Sequence, residues 1–269
     1  MRYWYKYLPK RENKNTSNRF QLTDEALIDD NKIIEERFKF DQFKKYQISL
    51  KTYNFLKKNM KKCHTLFVAS SWGWVEFFLS KSFTVMASDI NKKYIDYHKK
   101  KRDLEYIKFD ILDTSDIEKM NKKFSQIVVN NIEYLFDENQ ILRCMDNLHL
   151  ITKDNADIFF IFRSRDSAVI RIIDNWLLPL ENKLKTIIKN FKGNNWYFTK
   201  NHHGFRRSEN EFIKIIKNNN FKIEYIYKDL FEAEYNKLYI VKMLRLSKFI
   251  SKIFLKSHPL LTIFHLKKL

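Results

Sequence analysis

Polar and acidic side chains follow short apolar runs in this sequence, at the positions where predicted strands end. Asp89 and Asp110 each close one such run, and Asn130 and Asn131 close another. A carboxylate at the end of a parallel strand is placed to accept hydrogen bonds from both hydroxyls of a ribose. These residues therefore predict a site for a ribose-bearing ligand at one edge of a sheet.

The turn after the first apolar run is built from small residues, which are Ala69, Ser70, Ser71 and Gly73. Small side chains let a ligand approach the backbone closely, although serine lacks the φ freedom of glycine. A dinucleotide-binding turn is the nearest alternative, but its third small position is occupied by Trp74, whose bulk prevents close packing of helix on strand. The turn therefore favours a ligand without a pyrophosphate.

A basic segment with two histidines, residues 202–207, is the strongest candidate for contact with a substrate. A histidine there is suited to general-base chemistry near neutral pH, and adjacent arginines bind phosphate or carboxylate groups. A histidine pair without a third ligand nearby does not indicate a metal site. An exposed basic loop is the alternative interpretation.

The elements that position these residues alternate between strand and helix over roughly 180 residues. Apolar runs predict strands at 65–69, 83–89, 105–110, 124–130, 157–162, 221–227 and 238–244. Right-handed crossovers then give a mainly parallel sheet with helices on both faces. We predict an α/β, doubly wound, seven-stranded fold whose ligand lies beyond the carboxyl ends of the strands.

The order and spacing of these segments, over residues 65–244, resemble a class I S-adenosylmethionine-dependent methyltransferase. In the glycine-rich motif of that family only Gly73 is kept here. Ala69 and Ser71 stand at the other two glycine positions, and Phe67 stands where an acid is common. The resemblance implies a Rossmann-like sheet whose last two strands pair as an antiparallel hairpin, and S-adenosyl-L-methionine as the cofactor.

The resemblance also implies roles for particular residues. Asp89 would hold the ribose, Asp110 would hydrogen-bond the adenine amine, and Ile111 would pack on the base. The segment 128–135 would lie beside the methionine part and the reactive methyl group. The residues assigned to cofactor binding are Ala69, Ser70, Ser71, Gly73, Asp89, Ile90, Asp110, Ile111, Asn130 and Asn131.

Methyl transfer is an in-line displacement at a cationic sulfonium, so the protein must hold a nucleophile about 3–3.5 Å from the methyl group and exclude water. A general base assists when the nucleophile is a hydroxyl. We assign Glu133 and His203 as catalytic residues. We assign Tyr134, His202 and Arg206 to the substrate, because in this topology the connection after strand five often covers the active site.

The expected activity is methyl transfer to oxygen or nitrogen of a small or carrier-linked anionic substrate, which Arg206 and Arg207 would suit. An RNA or protein substrate is the alternative, favoured by 51 basic against 32 acidic residues, a net charge of +19. The segment 130–133 lacks the paired prolines of base-amine methyltransferases, which counts against adenine or cytosine amines. A non-catalytic, methyltransferase-like binding domain is a third possibility, because the turn is short of glycine.

Composition sets the outer limits. Two cysteines among 269 residues build neither a disulfide scaffold nor a cysteine zinc site, and Cys63 and Cys144 are expected to be structural. The start has no signal-peptide core, and no apolar run reaches the roughly 18 residues of a membrane span. A cytoplasmic protein is expected. An AT-rich genome alone would also explain the abundance of lysine.

Three regions are predicted along the chain: a helical N-terminal extension (1–60), a methyltransferase-like domain (61–246) and a basic amphipathic tail (247–269). In the tail, lysines recur every four residues and an apolar stretch follows Pro259. Such a helix lies on an anionic membrane or docks on its own domain or a dimer partner.

Overall fold

The computed structural model describes residues 2–11, 38–44, 47–162, 196–229 and 261–269, together with Trp176, Leu180, Lys183, Leu184 and Ile187. The strands are β1 (Arg2–Arg11), β2 (Thr65–Val68), β3 (Val85–Asp89), β4 (Glu105–Lys108), β5 (Phe124–Asn130), β6 (Thr152–Phe162), β7 (Trp196–Arg206), β8 (Phe221–Asp229) and β9 (Leu261–Lys268). The helices are α1 (Phe40–Phe43), α2 (Gln47–Asn59), α3 (Trp74–Ser80), α4 (Lys92–Lys101), α5 (Thr114–Met120), α6 (Glu138–Ile151) and α7 (Glu209–Asn218), with a 3-10 turn at Glu133–Leu135.

Seven strands form one sheet in the order β4-β3-β2-β5-β6-β9-β8. The first five in this order are parallel, and β9 runs antiparallel to both β6 and β8. The predicted α/β fold with a seven-stranded, mostly parallel sheet is confirmed. The strand order reverses at β2, so the carboxyl ends of β2, β3 and β5 meet at the switch point where such sheets bind ligands.

Two apolar layers cover the two faces of the sheet. Along β2, Leu66 and Val68 belong to the layer under α5, α6 and α7, whereas Phe67 belongs to the layer under α2, α3 and α4. All three side chains are almost fully buried. A strand that is buried on both faces has a continuous run of apolar residues, which is why β2 could be predicted from the sequence.

The seventh strand of the sheet is β9, not the predicted strand at 238–244, and that range lies outside the described residues. Leu261, Ile263 and Phe264 are buried within the sheet, so the predicted boundary after residue 246 is wrong for residues 261–268. The apolar run that suggested membrane contact is therefore used to complete the core, while 247–260 lies outside the described residues. Within the described part of the chain, no helix has the length and apolarity needed to cross a membrane.

The N-terminal extension is only partly helical. Residues 2–11 form β1, which pairs antiparallel with β7 in a separate two-stranded sheet. This corrects the prediction of a helical segment 1–60 for its first residues, although α1 and α2 confirm helix further along. The aromatic residues of β1 favour a strand. The basic segment predicted as a loop is also strand, because residues 202–206 belong to β7.

Candidate functional site

An open cleft of about 720 Å³ lies at the carboxyl ends of β2, β3 and β5. Its lining comes from the loop after β2, the first turn of α3, the loop after β3, the end of β5 and the 3-10 turn. The polar and aromatic lining residues are Ser49, Thr52, Ser70, Ser71, Trp72, Trp74, Glu76, Asp89, Asn91, Lys92, Tyr94, Asn130, Asn131 and Tyr134. The cleft therefore lies where the fold predicts a ligand.

The loop after β2 keeps a left-handed backbone at three alternating positions. The φ angles are +60° at Ala69, +50° at Ser71 and +61° at Gly73. Left-handed backbone costs a residue with a Cβ roughly 1–2 kcal/mol, and glycine avoids that cost. The loop thus adopts the conformation expected of a glycine-rich turn although two of its three left-handed residues are not glycine.

Side chains from β3, β4 and α4 hold this loop in place. The Ser71 N–H donates to Asp89 Oδ2 (2.8 Å), and the Tyr106 hydroxyl donates to the Ser71 carbonyl (2.7 Å). His98 Nε2 donates to the Trp72 carbonyl (2.8 Å). Burial, opposed by the hydrogen bond to the Trp72 carbonyl and aided by the charge of Arg102, lowers the pKa of His98 to about 4, so the ring is neutral near pH 7.

Gly73 is required by close packing as well as by its backbone angle. A Cβ at this position would lie 3.1 Å from His98 Nε2 and 3.3 Å from Tyr106 Cε2. His98 and Tyr106 stack on each other with ring centroids 4.9 Å apart, so neither ring has room to move away. The glycine kept in the motif is therefore at a position where a side chain would be both strained and crowded.

Asp89 lines the cleft, and its carboxylate accepts hydrogen bonds from two backbone N–H groups. Oδ2 accepts the Ser71 N–H and Oδ1 accepts the Asn91 N–H (2.9 Å). A carboxylate has about four acceptor positions, so one that accepts backbone N–H groups can also accept a ligand hydroxyl. Ile90, next in the chain, is 62% exposed and lines the mouth of the cleft.

Asp110 and Ile111 are not part of this cleft. Asp110 Oδ1 accepts the N–H of Leu112 (2.8 Å), and the Asp110 N–H donates to Asp116 Oδ2 (3.0 Å), so the residue closes its own turn. Ile111 is 3% exposed and packs in the core. The structure does not place either residue on the lining of the cleft, and their contacts with an adenine stay predictions.

Glu76 is a lining residue that the sequence analysis missed. It is 1% exposed, and its Oε1 accepts the Asn130 side-chain N–H (2.5 Å). Burial raises the pKa of Glu76 to about 7, hydrogen bonds from Ser70 and Asn130 oppose that rise, and the charge of Asp89 adds to it. An acid in the first turn of a helix is commonplace, so only its burial sets it apart.

Asn130 and Asn131 both line the cleft, as predicted. Asn131 has φ +43°, a conformation that asparagine tolerates, and its N–H donates to the Ile161 carbonyl. Its Oδ1 is buried and has no hydrogen-bond partner among the described residues. This acceptor is therefore available to a donor from outside the described residues, such as a ligand.

The 3-10 turn places Tyr134 and Leu135 on the cleft, while Glu133 is 2% exposed and does not line it. Arg207 fixes this turn, because its guanidinium donates to the carbonyls of Glu133 (2.7 Å), Phe136 (2.7 Å) and Asp137 (2.8 Å). Arg207 is 4% exposed and thus structural, which corrects the expectation that it suits an anionic substrate.

The remaining predicted substrate residues lie on β7. His202 pairs with Tyr5 of β1, Arg206 pairs with Arg2, and His203 lies between them. The backbone of β7 runs past the 3-10 turn. The side chains of these residues lie outside what the structure describes, so their roles stay predictions.

An aromatic wall, formed by Trp72, Trp74 and Tyr94, closes one side of the cleft. The indoles are near parallel, at 19° with centroids 6.2 Å apart, and Trp72 contacts Tyr94 at 5.3 Å. Trp74 also packs edge-on against Phe38. The indoles bound the cleft and leave its volume open.

The fold is that of class I S-adenosylmethionine-dependent methyltransferases. A methyltransferase of this kind from Anabaena variabilis superposes with a TM-score of 0.59 at 11% identity, over 97% of this chain and 98% of that one. Magnesium protoporphyrin IX methyltransferase from Synechocystis, with S-adenosylhomocysteine bound, gives 0.54 at 11% identity, over 93% and 100%. The glycopeptide N-methyltransferase MtfA, in complex with sinefungin, gives 0.55 at 8% identity, over 82% and 87%. No family model and no curated protein matches the sequence.

Proposed function

We propose that this chain is an S-adenosylmethionine-dependent methyltransferase whose cofactor binds in the cleft at the ends of β2, β3 and β5. One observation carries the proposal. Asp89, at the end of β3, reaches the backbone of a loop that holds three left-handed positions in alternation. This arrangement places a carboxylate beside a backbone segment that a ligand can approach closely, at the switch point of the sheet.

The lining fits such a cofactor. Ligand pockets measure roughly 300–1,000 Å³, and the cleft falls within that range. Asp89 offers acceptors for ribose hydroxyls, and Ile90 offers an exposed apolar surface for a base. Glu76 and the Asn131 amide oxygen are buried acceptors near the end of β5. They suit a cationic group with N–H donors.

The bound cofactor would supply an electrophilic methyl group, and this chain's residues would orient it and exclude water. Asp89 would fix the ribose through charge-assisted hydrogen bonds. The aromatic wall would keep water from one side of the cleft. Tyr134 lies on the cleft at the end of β5, where the methyl acceptor is expected, and Arg207 holds its turn rigid.

For the acceptor we propose oxygen or nitrogen of a small or carrier-linked substrate. Glu133 and His203 remain the proposed catalytic residues, and Tyr134, His202 and Arg206 the proposed substrate contacts. An anionic substrate has one supporting feature: Lys92 is the basic residue among the described residues that line the cleft. The magnesium protoporphyrin and glycopeptide enzymes act on other molecules of modest size, which is consistent with this substrate class.

A nucleic acid or protein acceptor is less well supported, because Lys92 is the single basic residue among the described residues of the cleft, whereas a nucleic acid backbone needs several. A gel shift with RNA that weakens steeply with salt would favour it. A non-catalytic binding domain is favoured by Asp110, because its carboxyl closes its own turn and does not line the cleft. It predicts that a methyl acceptor is never modified even when the cofactor binds.

Titration calorimetry with S-adenosylmethionine tests the proposal. We expect binding to the native chain and a large loss of affinity in Asp89→Asn, with an unchanged far-UV spectrum. Glu118→Gln, an exposed acid on α5, is the matched control and should bind normally. Absence of any heat or thermal shift at millimolar cofactor would refute the proposal.

A further inference from the structure

Strand β2 has no acid at the position where class I methyltransferases commonly have one. Phe67 occupies that position and is fully buried in the core on the α3 side of the sheet. Among the described residues, the carboxylates that line the cleft are Asp89 and Glu76. Asp89 accepts two backbone N–H groups beside the loop, whereas Glu76 lies nearer the end of β5 through its bond to Asn130.

Glu76 is buried without a cation. The groups that act on its carboxyl are its own backbone N–H, the Ser70 hydroxyl, the Asn130 amide and the negative charge of Asp89. The phenol of Tyr106, from β4, is also close enough to sense it. No lysine, arginine or histidine of the described residues acts on Glu76. Burial without a cation favours the protonated, neutral form, so the pKa of Glu76 is raised to about 7.

A neutral acid at this place changes state when a positive charge arrives. An opposite charge within about 4–6 Å stabilises a carboxylate and overcomes the effect of burial. The end of the cleft marked by Asn130 and Asn131 is where the methionine part is expected. That part carries a sulfonium, an ammonium and a carboxylate, so its net charge is +1. The Asn131 oxygen without a partner lies on the same lining.

We propose that Glu76 supplies the counter-charge for the cationic methionyl end of the cofactor and releases a proton to solvent when that end binds. This inference rests on the proposed function and names a residue and a linkage that the fold alone does not provide. The balance is simple: one O–H bond of Glu76 breaks, the proton goes to the buffer, and the carboxylate pairs with the bound cation.

The proton release is measurable without turnover. S-adenosylmethionine is titrated into the native chain at pH 6 in two buffers that differ in ionisation enthalpy. With a pKa near 7, about nine-tenths of Glu76 is protonated at pH 6, so close to one proton should leave per cofactor bound. The dissociation constant should also fall about tenfold between pH 6 and pH 8.

Two variants isolate Glu76 from other titrating groups. Glu76→Gln should bind more weakly at pH 8 and should show no proton release and a flat pH profile between 6 and 8. Glu118→Gln should behave as the native chain does. If Glu76→Gln unfolds, the proton count of the native chain still decides the question.

A second ligand separates the two cationic groups. S-adenosylhomocysteine keeps the ammonium and lacks the sulfonium. Equal proton release with both ligands assigns Glu76 to the ammonium, and release with S-adenosylmethionine alone assigns it to the sulfonium. Both results support the proposal.

The experiments distinguish a failure of the Glu76 proposal from a failure of the methyltransferase proposal. Cofactor binding that depends on Asp89 but releases no proton, with Glu76→Gln binding as tightly as the native chain, overturns the role of Glu76 and leaves the methyltransferase proposal standing. A pH profile that persists in Glu76→Gln also overturns it, because another group then titrates. No binding at all overturns both proposals.

Discussion

Asp89 and Asp110 look alike in sequence, yet the structure uses them differently. Each follows one of two neighbouring parallel strands, β3 and β4. The carboxylate of Asp89 reaches across to the loop after β2, while that of Asp110 turns back to the N–H of Leu112. An acid at a strand end therefore predicts the edge of the sheet, but local hydrogen bonds decide whether it enters the cleft.

Asp89 contacts the loop after β2 because β3 lies next to β2 in the sheet. β3 lies beside β2, whose loop presents the Ser71 N–H to it, whereas β4 is the edge strand. Asp110, next to the edge strand β4, bonds within its own turn rather than to the loop after β3. Its carboxyl instead organises the turn into α5, where Asp113 caps the helix.

The strongest way to test this contrast is to remove each charge in turn. Asp89→Asn should weaken S-adenosylmethionine binding about 1,000-fold, because roughly 4 kcal/mol of charge-assisted hydrogen bonding is lost. Asp110→Asn should change the affinity less than about threefold. Calorimetry on both variants measures the difference. Equal losses would show that Asp110 reaches the ligand after all.

The second test uses pH to compare the two buried titrating groups beside the loop. The folded pKa of His98 is about 4, below its ordinary 6.5, so His98 costs stability as pH falls from 6.5 to 4. The folded pKa of Glu76 is about 7, above its ordinary 4.5, so Glu76 costs stability as pH rises from 4.5 to 7. Each effect is about 3 kcal/mol when complete, and over the shared range they oppose each other.

Single variants separate the two effects. Relative to the native chain, His98→Gln should lose stability as pH rises from 4 to 6.5, and Glu76→Gln should gain it as pH rises from 4.5 to 7. Urea denaturation at several pH values measures both differences. Parallel curves for the native chain and either variant would mean that the replaced group does not titrate in this range.

Sequence reasoning located the sheet better than the site. β2, β3 and β5 were found because strands buried on both faces are continuous apolar runs. β9 was missed because a strand that returns from the end of the chain carries no local sign of its partner. Its pairing with β6 joins residues about a hundred positions apart, and only the fold reveals it.

Glu76 was missed for a different physical reason. Helical spacing shows which residues share a face, but it does not distinguish a solvated acid from one that a neighbouring strand buries. The signal is the bond to Asn130, 54 residues away. Asp110 shows the converse limit, because a carboxyl that closes its own turn resembles in sequence one that faces a ligand.

The third test asks how tightly the loop near Asp89 is packed. Gly73→Ala should lower the free energy of unfolding by about 2 kcal/mol, since it combines left-handed strain with a Cβ only 3.1 Å from His98 Nε2. Urea denaturation measures the loss. The double variant Gly73→Ala/His98→Ala should lose less than the sum of the single losses, because the second change makes room. Full additivity would show that strain alone matters.

The smallest expected effect distinguishes the loop's left-handed positions from ordinary backbone. Ala69→Gly relieves left-handed strain of roughly 1–2 kcal/mol in the folded chain. It also makes the unfolded chain more flexible, which costs roughly 0.5–1 kcal/mol of stability. The free energy of unfolding should therefore rise by about 0.5–1 kcal/mol. Ser71→Gly should behave similarly. Ala87→Gly on β3 makes the same chemical change where the backbone is extended and the side chain is buried, and it should destabilise instead. Thermal denaturation of the three variants gives the signs, and a loss of stability in Ala69→Gly would mean that packing of its methyl group outweighs the strain.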